Sequence, residues 1–170
     1  MKKLWSVLSI VVVLALATTG FAAASGPGPK EGNIIDVALA INEETGEFST
    51  LIAAVTCPFF GTSLVDMLSR AQRTVFAPTD AAFAELGLTP DNVCKALDRN
   101  TLKTVLFYHI ARGKLDSTAV VGSDMLMMLN GQYADIQVNG SVTIDGQTII
   151  LPDVMAANGY IHVIDGVMLP

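Results

Sequence analysis

The sequence has few basic residues, histidines and cysteines, and each shortage argues against a class of function. Its 10 Lys and Arg stand against 16 Asp and Glu, so the formal net charge is −6 at pH 7. Such an acidic balance is unsuited to a nucleic-acid partner. The chain has 2 His and 2 Cys, and their spacing matches no motif for a catalytic zinc site, which commonly takes three protein ligands. We therefore expect no nucleic acid, no metal and no cofactor.

Motifs of the common enzyme classes are also missing. The chain has no G-x-S-x-G elbow, no phosphate-binding loop and no H-E-x-x-H helix. Scattered Ser, His and Asp residues can be grouped into a triad in almost any sequence, so their presence is not evidence for one. We expect no catalytic residues, and a hydrolase is the least supported of the functions considered.

Only the first stretch of the chain is strongly hydrophobic, and it has the features of a signal peptide. Lys2 and Lys3 precede an apolar run over residues 4–16, and residues 22–24 are all alanine, as a signal peptidase requires. We predict a signal peptide over residues 1–24 and a secreted or periplasmic protein. An uncleaved membrane anchor is the alternative.

The remaining chain divides into a short linker and one domain. Residues 25–32 are rich in Gly and Pro, which is typical of a linker. We therefore expect a single domain over residues 33–170. In an oxidising compartment its two cysteines, Cys57 and Cys94, are expected to form a disulfide rather than remain as two free buried thiols.

The residue pattern is mainly helical at first and then turns to strands. Capping residues and apolar spacing predict one helix after Asn33, one over 48–55 and one capped by Ser63. The stretch over residues 102–115 is predicted to be one helix, which opens at Asn100 or Thr101 and which Gly113 closes. From residue 114 onward, hairpin-type dipeptides such as Asn-Gly and Asp-Gly separate short apolar runs. Helices followed by strands indicate an α+β fold.

Three stretches together resemble the fasciclin domain family (fasciclin I-like, beta-Ig-H3/fasciclin). They are TVFAPTDAAFAEL at 74–86, the Tyr108-His109 pair, and NGYIHVIDGVMLP at 158–170. They resemble, in order, the family's first conserved motif, its Tyr-His motif and its second conserved motif. The resemblance is to a small, secreted, bacterial-type single-domain member. It implies an α+β domain with a wedge of strands beside a group of helices.

The resemblance also implies an adhesive role without enzymatic activity. In animal members the Tyr-His region takes part in receptor binding, which here implies candidate binding residues Leu106, Tyr108, His109 and Ile110. Residues of the two conserved motifs are expected to be structural: Thr79, Asp80, Asn158, Gly159 and His162.

His109 is expected mainly to brace the fold. It follows Leu102, Val105 and Leu106 at helical spacing, so all four share one face, which we expect to be buried. A buried histidine is normally neutral and hydrogen-bonded. The resemblance implies Thr79 or Asp80 as its partner, because the family packs its first motif near the Tyr-His helix. Direct binding is the alternative role.

Two further features are candidate interfaces. Phe59 and Phe60 lie in a loop next to Cys57, where they form a sticky patch if exposed and cover the core if buried. Basic residues cluster over 70–114, whereas 115–170 contain no Lys or Arg. A basic face suits an anionic glycan or headgroup, whereas a solvated surface with local ion pairs is the alternative. The basic candidates are Arg70, Arg73, Arg99 and Lys103.

These observations predict an exported fasciclin-like adhesion module that contacts a cell-surface or matrix protein or glycan. The alternative is an extracytoplasmic carrier of a small apolar or anionic ligand. A deep apolar pocket favours the carrier, and a convex surface with patches favours adhesion.

Overall fold

The computed structural model describes residues 32–170. The predicted signal peptide over 1–24 and residues 25–31 of the predicted linker lie outside the described residues. Within residues 32–170, no helix combines the length and hydrophobicity needed to cross a membrane.

Helices and strands are both well represented, and the α+β prediction is confirmed. The helices are α1 (Ile34–Thr45), α2 (Ser49–Val55), α3 (Ser63–Arg70), α4 (Asp80–Glu85), α5 (Val93–Ala96), α6 (Arg99–Tyr108) and α7 (Ser117–Val121). The strands are β1 (Arg73–Pro78), β2 (Ile110–Arg112), β3 (Met125–Met127), β4 (Tyr133–Val138), β5 (Val142–Ile144), β6 (Gln147–Ala156) and β7 (Gly159–Ile164).

The strands form one seven-stranded sheet in the order β2-β1-β7-β6-β5-β4-β3. Among the strands of residues 32–170, only the β1–β7 pair is parallel. The two end strands of this order also meet, because Ala111 bridges to Met128 and the Leu129 N–H donates to the Ile110 carbonyl at 2.8 Å. The sheet therefore curls back on itself.

The two faces of the sheet bury two different cores. Alternation along β1 sends Val75 and Ala77 into a large core shared with the helices, whereas Phe76 enters a smaller core. The smaller core also contains Met128 and Ile144. The Tyr-His region contributes to both cores, since Leu106 and Ile110 belong to the first and Tyr108 to the second.

Helix α1 begins as the sequence predicts, and α3 does not. Asn33 caps α1 by accepting the Ile35 and Asp36 N–H groups, and the Asp36 carboxylate accepts the Asn33 N–H. The predicted cap of α3, Ser63, is wrong, since Ser63 is its first helical residue and Thr62 precedes it without a side-chain cap. Three-residue strand β2 and five-residue helix α7 were not anticipated, because such short elements have too few residues to show a period.

The prediction of one helix over 102–115 is wrong at both ends. Asp98 caps α6 by accepting the N–H groups of Asn100 and Thr101, so neither of those two residues opens the helix. The helix ends at Tyr108, because Ile110 pairs with Val75 of β1 and the chain becomes a strand.

Candidate functional site

The candidate binding residues of the Tyr-His motif lie inside the protein. Leu106, Tyr108, His109 and Ile110 are 3%, 5%, 4% and 3% exposed. The Tyr108 hydroxyl donates to the Tyr133 carbonyl at 3.2 Å. These side chains therefore pack beneath the protein surface and are not available for direct contact with a partner.

Both ring nitrogens of His109 are hydrogen-bonded to backbone groups. The Met168 N–H donates to Nε2 at 3.0 Å, so Nδ1 carries the proton and donates to the Val105 carbonyl at 2.8 Å. The predicted partner, Thr79 or Asp80, is wrong. Burial lowers the pKa of His109 from 6.5 to about 4, opposed in part by the bond to Val105. The ring is thus neutral at physiological pH and joins the end of α6 to the last residues of the chain.

The first conserved motif caps two helices at once. Thr79 caps its own helix, α4, by accepting the Ala82 N–H at 3.3 Å. The Asp80 carboxylate reaches across to α2, where it accepts the N–H groups of Ser49 at 3.1 Å and Thr50 at 2.7 Å. Helix α2 has no side-chain cap of its own, so Asp80 supplies the anionic acceptor that a helix N-terminus favours.

The second conserved motif ties the sheet to two helices through Asn158. Its Oδ1 accepts the Ile34 N–H at 2.8 Å, and its Nδ2 donates to the carbonyls of Leu68 at 2.6 Å and Ala71 at 2.9 Å. Gly159 follows because the chain passes so close to β1 that any Cβ there would overlap the Arg73 carbonyl oxygen. Both residues are structural in this fold.

His162 is a second buried, fully hydrogen-bonded histidine. The Asp153 N–H donates to Nδ1 at 3.2 Å, so Nε2 donates to the Leu115 carbonyl at 2.9 Å. The ring stacks on Phe76 with centroids 5.4 Å apart. Burial lowers its pKa, and the Leu115 bond opposes that shift. Ile161 and Val163 point to the opposite face, as the strand period predicts.

The two cysteines form the predicted disulfide. Cys57 and Cys94 are bonded, with Cα atoms 5.6 Å apart. The bond joins the segment after α2 to α5, across 37 positions of sequence.

The candidate aromatic interface is not an exposed patch. Phe60 is 8% exposed and Phe59 is half-buried, and their rings meet edge to face at 4.7 Å. The alternative, that these rings cover the core, is confirmed. The reason is that the disulfide and the 3₁₀ turn over Pro58–Phe60 hold the loop against the helices.

The predicted basic candidates separate into different places. Arg99 and Lys103 lie on α6 and, with Phe60, line a shallow groove of about 150 Å³ between α3 and α6, here called the α3–α6 groove. Arg70 lies at the end of α3, 3.8 Å from Asp66. Arg73 lies on β1, directly opposite Arg112 of β2.

Two apolar cavities, which the sequence did not reveal, lie on either side of His109. The first cavity, about 230 Å³, lies between α1, α2, α3 and the sheet. The second cavity, also about 230 Å³, lies between α2, α4, α6 and the end of the chain. Both are bounded by Leu51, Leu106 and His109, which form the wall between them. Leu39 of α1, which lines the first cavity, is an apolar residue that is 41% exposed.

Metal-ligating side chains do not converge within residues 32–170. No group of three or more His, Cys, Asp or Glu there is arranged to hold a metal ion. The described part of the chain thus offers buried backbone-bonded histidines, one basic groove and two apolar cavities as its distinctive features.

Comparison with known proteins identifies the family. The Fasciclin domain profile matches residues 46–170. The chain is 37% identical over 140 residues to the uncharacterized protein sll1735 of Synechocystis, covering 81% of this chain and 97% of that protein. It is 32% identical over 152 residues to the immunogenic protein MPB70 of Mycobacterium bovis, covering 86% of this chain and 75% of that protein.

Two further comparisons extend the likeness. The cell surface glycolipoprotein MPB83 of Mycobacterium bovis is 29% identical over 150 residues, covering 86% of this chain and 66% of that protein. A solved FAS1 domain pair from the insect cell adhesion molecule fasciclin I matches with a TM-score of 0.53 and 24% identity. The match covers 79% of this chain and 46% of that one, and it shows the same fold. This chain belongs to the fasciclin domain family.

Proposed function

We propose that this protein is an extracytoplasmic, non-enzymatic adhesion module whose α3–α6 groove holds an anionic group of a cell-surface or matrix protein or glycan. Family membership supports the general role, since one relative is described as a cell surface protein and a structural match is an adhesion molecule. The buried Tyr-His residues are unsuited to direct contact. The exposed groove is better placed for it.

The observation that carries this proposal is the pair of cations on α6. Arg99 and Lys103 are both exposed and stand four residues apart, so their like charges repel on one helix face. Among residues 32–170, neither forms an ion pair with a carboxylate. An anion seated between them would relieve the repulsion and gain two charge-assisted hydrogen bonds.

The floor of the groove adds apolar contact. Met67 and Phe107 lie beside the cations, and the Lys103 ammonium stands 5.2 Å from the Phe107 ring centroid. Such a contact holds the ammonium over the ring and limits its freedom before a partner arrives. A carboxylate or sulfate on a sugar or peptide would find both charge and an apolar surface here.

The proposal is tested by binding to immobilised dextran sulfate, with uncharged dextran as the reference surface. The double variant Arg99→Gln/Lys103→Gln is compared with Arg112→Gln/Lys114→Gln, which removes the same charge from exposed positions on and just after β2. We expect the groove variant to lose about tenfold in affinity and the control variant to lose little. Wild-type binding should weaken as salt rises to physiological strength.

Two outcomes would contradict this. Equal losses in both variants would mean that overall charge, not the groove, determines binding. Wild-type binding that does not change with salt would remove the ionic basis of the proposal.

A further inference from the structure

The first cavity is open to solvent beside α1. Leu39 lines it and is 41% exposed, so this side chain marks the mouth. Ile35 and Ala38 of α1 and Ile52 of α2 continue the wall inward and are all partly exposed. An apolar ligand can therefore reach the interior without unfolding a strand.

Nothing polar in this cavity is left without a partner. Its two polar side chains are His109 and Thr56. Both His109 nitrogens bond to backbone groups, and the Thr56 hydroxyl donates to the Ile52 carbonyl at 2.7 Å. The exposed Thr56 hydroxyl can still accept a hydrogen bond at the rim. Deeper in the cavity, a polar group of a ligand would be left unpaired, which is unfavourable in an apolar site.

The charges around the mouth disfavour an anionic ligand as well. Helix α1 carries Asp36, Glu43 and Glu44 and no basic residue, and α2 carries no charge. On α3 the one cation, Arg70, lies within ion-pair distance of Asp66. A carboxylate or phosphate headgroup at this mouth would meet repulsion rather than a counter-charge.

We propose that the first cavity is a binding site for one uncharged hydrocarbon chain, which enters beside Leu39. Apolar walls gain from removing such a chain from water. An apolar cavity of comparable size is known to bind a small hydrocarbon rather than fill with water. The wall of Leu51, Leu106 and His109 closes the inner end and sets a limit on the length of chain that fits. This site does not depend on the α3–α6 groove.

The test uses an uncharged fluorescent probe, phenylnaphthylamine, with the anionic anilinonaphthalene sulfonate as its charged counterpart. We expect one uncharged probe to bind per chain with a blue shift. Decanol should displace it at least about tenfold better than decanoate at neutral pH. Along a series of straight-chain alcohols, displacement should strengthen and then level off where the chain reaches the wall. Equal displacement by decanol and decanoate would overturn the proposal.

A pair of matched variants locates the site. Ala38→Phe places a ring in the cavity, whereas Ala40→Phe makes the same change two residues along α1 at a partly exposed position outside the lining. We expect Ala38→Phe to lose probe binding and Ala40→Phe to keep it. If Ala38→Phe does not fold, Ile52→Phe blocks the same cavity from α2. Unchanged probe binding in a folded blocking variant would show that the cavity is not the site.

Discussion

At the scale of single residues, His109 shows how a histidine can be essential to a fold without touching a ligand. Its ring receives the Met168 N–H and donates to the Val105 carbonyl, so each nitrogen has one defined role. Protonation would put a second N–H against the Met168 N–H and leave a charge in an apolar site. The fold therefore requires the neutral ring.

This requirement predicts a pH dependence of stability. Because the pKa of His109 is about 4 in the folded protein against 6.5 as its ordinary value, the folded state resists protonation. Its contribution is intact above pH 6.5 and is lost as pH falls from 6.5 towards 4, by roughly 3 kcal/mol in all. Urea unfolding midpoints measured across this range should fall accordingly.

The variant His109→Gln provides the control. Its side chain retains an acceptor and a donor and cannot titrate, so the pH slope between 6.5 and 4 should become shallower. Burial also lowers the pKa of His162. Part of the pH dependence should therefore remain in the His109→Gln variant. An unchanged slope in His109→Gln would mean that His109 does not contribute to the pH dependence.

At the scale of elements, Asn158 holds the ends of two helices against the sheet. One side chain satisfies the first N–H of α1 and two carbonyls at the end of α3. Helix ends leave such backbone groups without partners inside the helix. The turn dipeptide Asn158-Gly159 thus also connects the sheet to helices α1 and α3.

Asn158→Ala should lower the free energy of unfolding by about 2–4 kcal/mol, since three part-buried backbone groups lose their partner. The same substitution at Asn139, in the similar Asn139-Gly140 turn, should cost little, because its side chain is exposed. Denaturant melts of the two variants make the comparison. Similar losses in both variants would show that the turn itself, rather than the hydrogen bonds from Asn158 to the two helices, determines the effect.

Local pattern predicted the existence of most elements but not all their ends. Asn33 and the apolar spacing after it defined α1 correctly, because the cap and the helix are contiguous in sequence. The end of α6 was missed, because Ile110 leaves the helix to pair with Val75, a residue far away in sequence. The apolar period continues past Tyr108, so only tertiary pairing reveals the break.

At the scale of the whole molecule, the disulfide links the segment after α2 to α5 and so stabilises the helical part of the fold. Cys57 and Cys94 are 37 positions apart, and closing a loop of that length is worth about 4 kcal/mol in the chain-entropy account. Cys57→Ala/Cys94→Ala should therefore unfold at a lower denaturant concentration than the oxidised protein. Reduced wild type should resemble the variant, and equal midpoints for all three would contradict the expected stabilisation.

The sequence anticipated the family and the disulfide and named Arg99 and Lys103 as candidates, but it did not show that these two residues line one groove. Motif residues such as Asp80 and Asn158 are recognisable in sequence, yet what they bond to is visible only in three dimensions. The cavities are invisible for the same reason. The first, for example, is a space between α1, α2, α3 and the sheet that no contiguous stretch encodes.

The curled sheet has a consequence for crowding. An open sheet ends in strands whose free N–H and C=O groups can template the addition of another chain. Here the ends of the strand order, β2 and β3, meet where Ala111 of β2 bridges to Met128, the residue after β3. At high protein concentration, this contact shields the two end strands from edge-to-edge pairing with another chain.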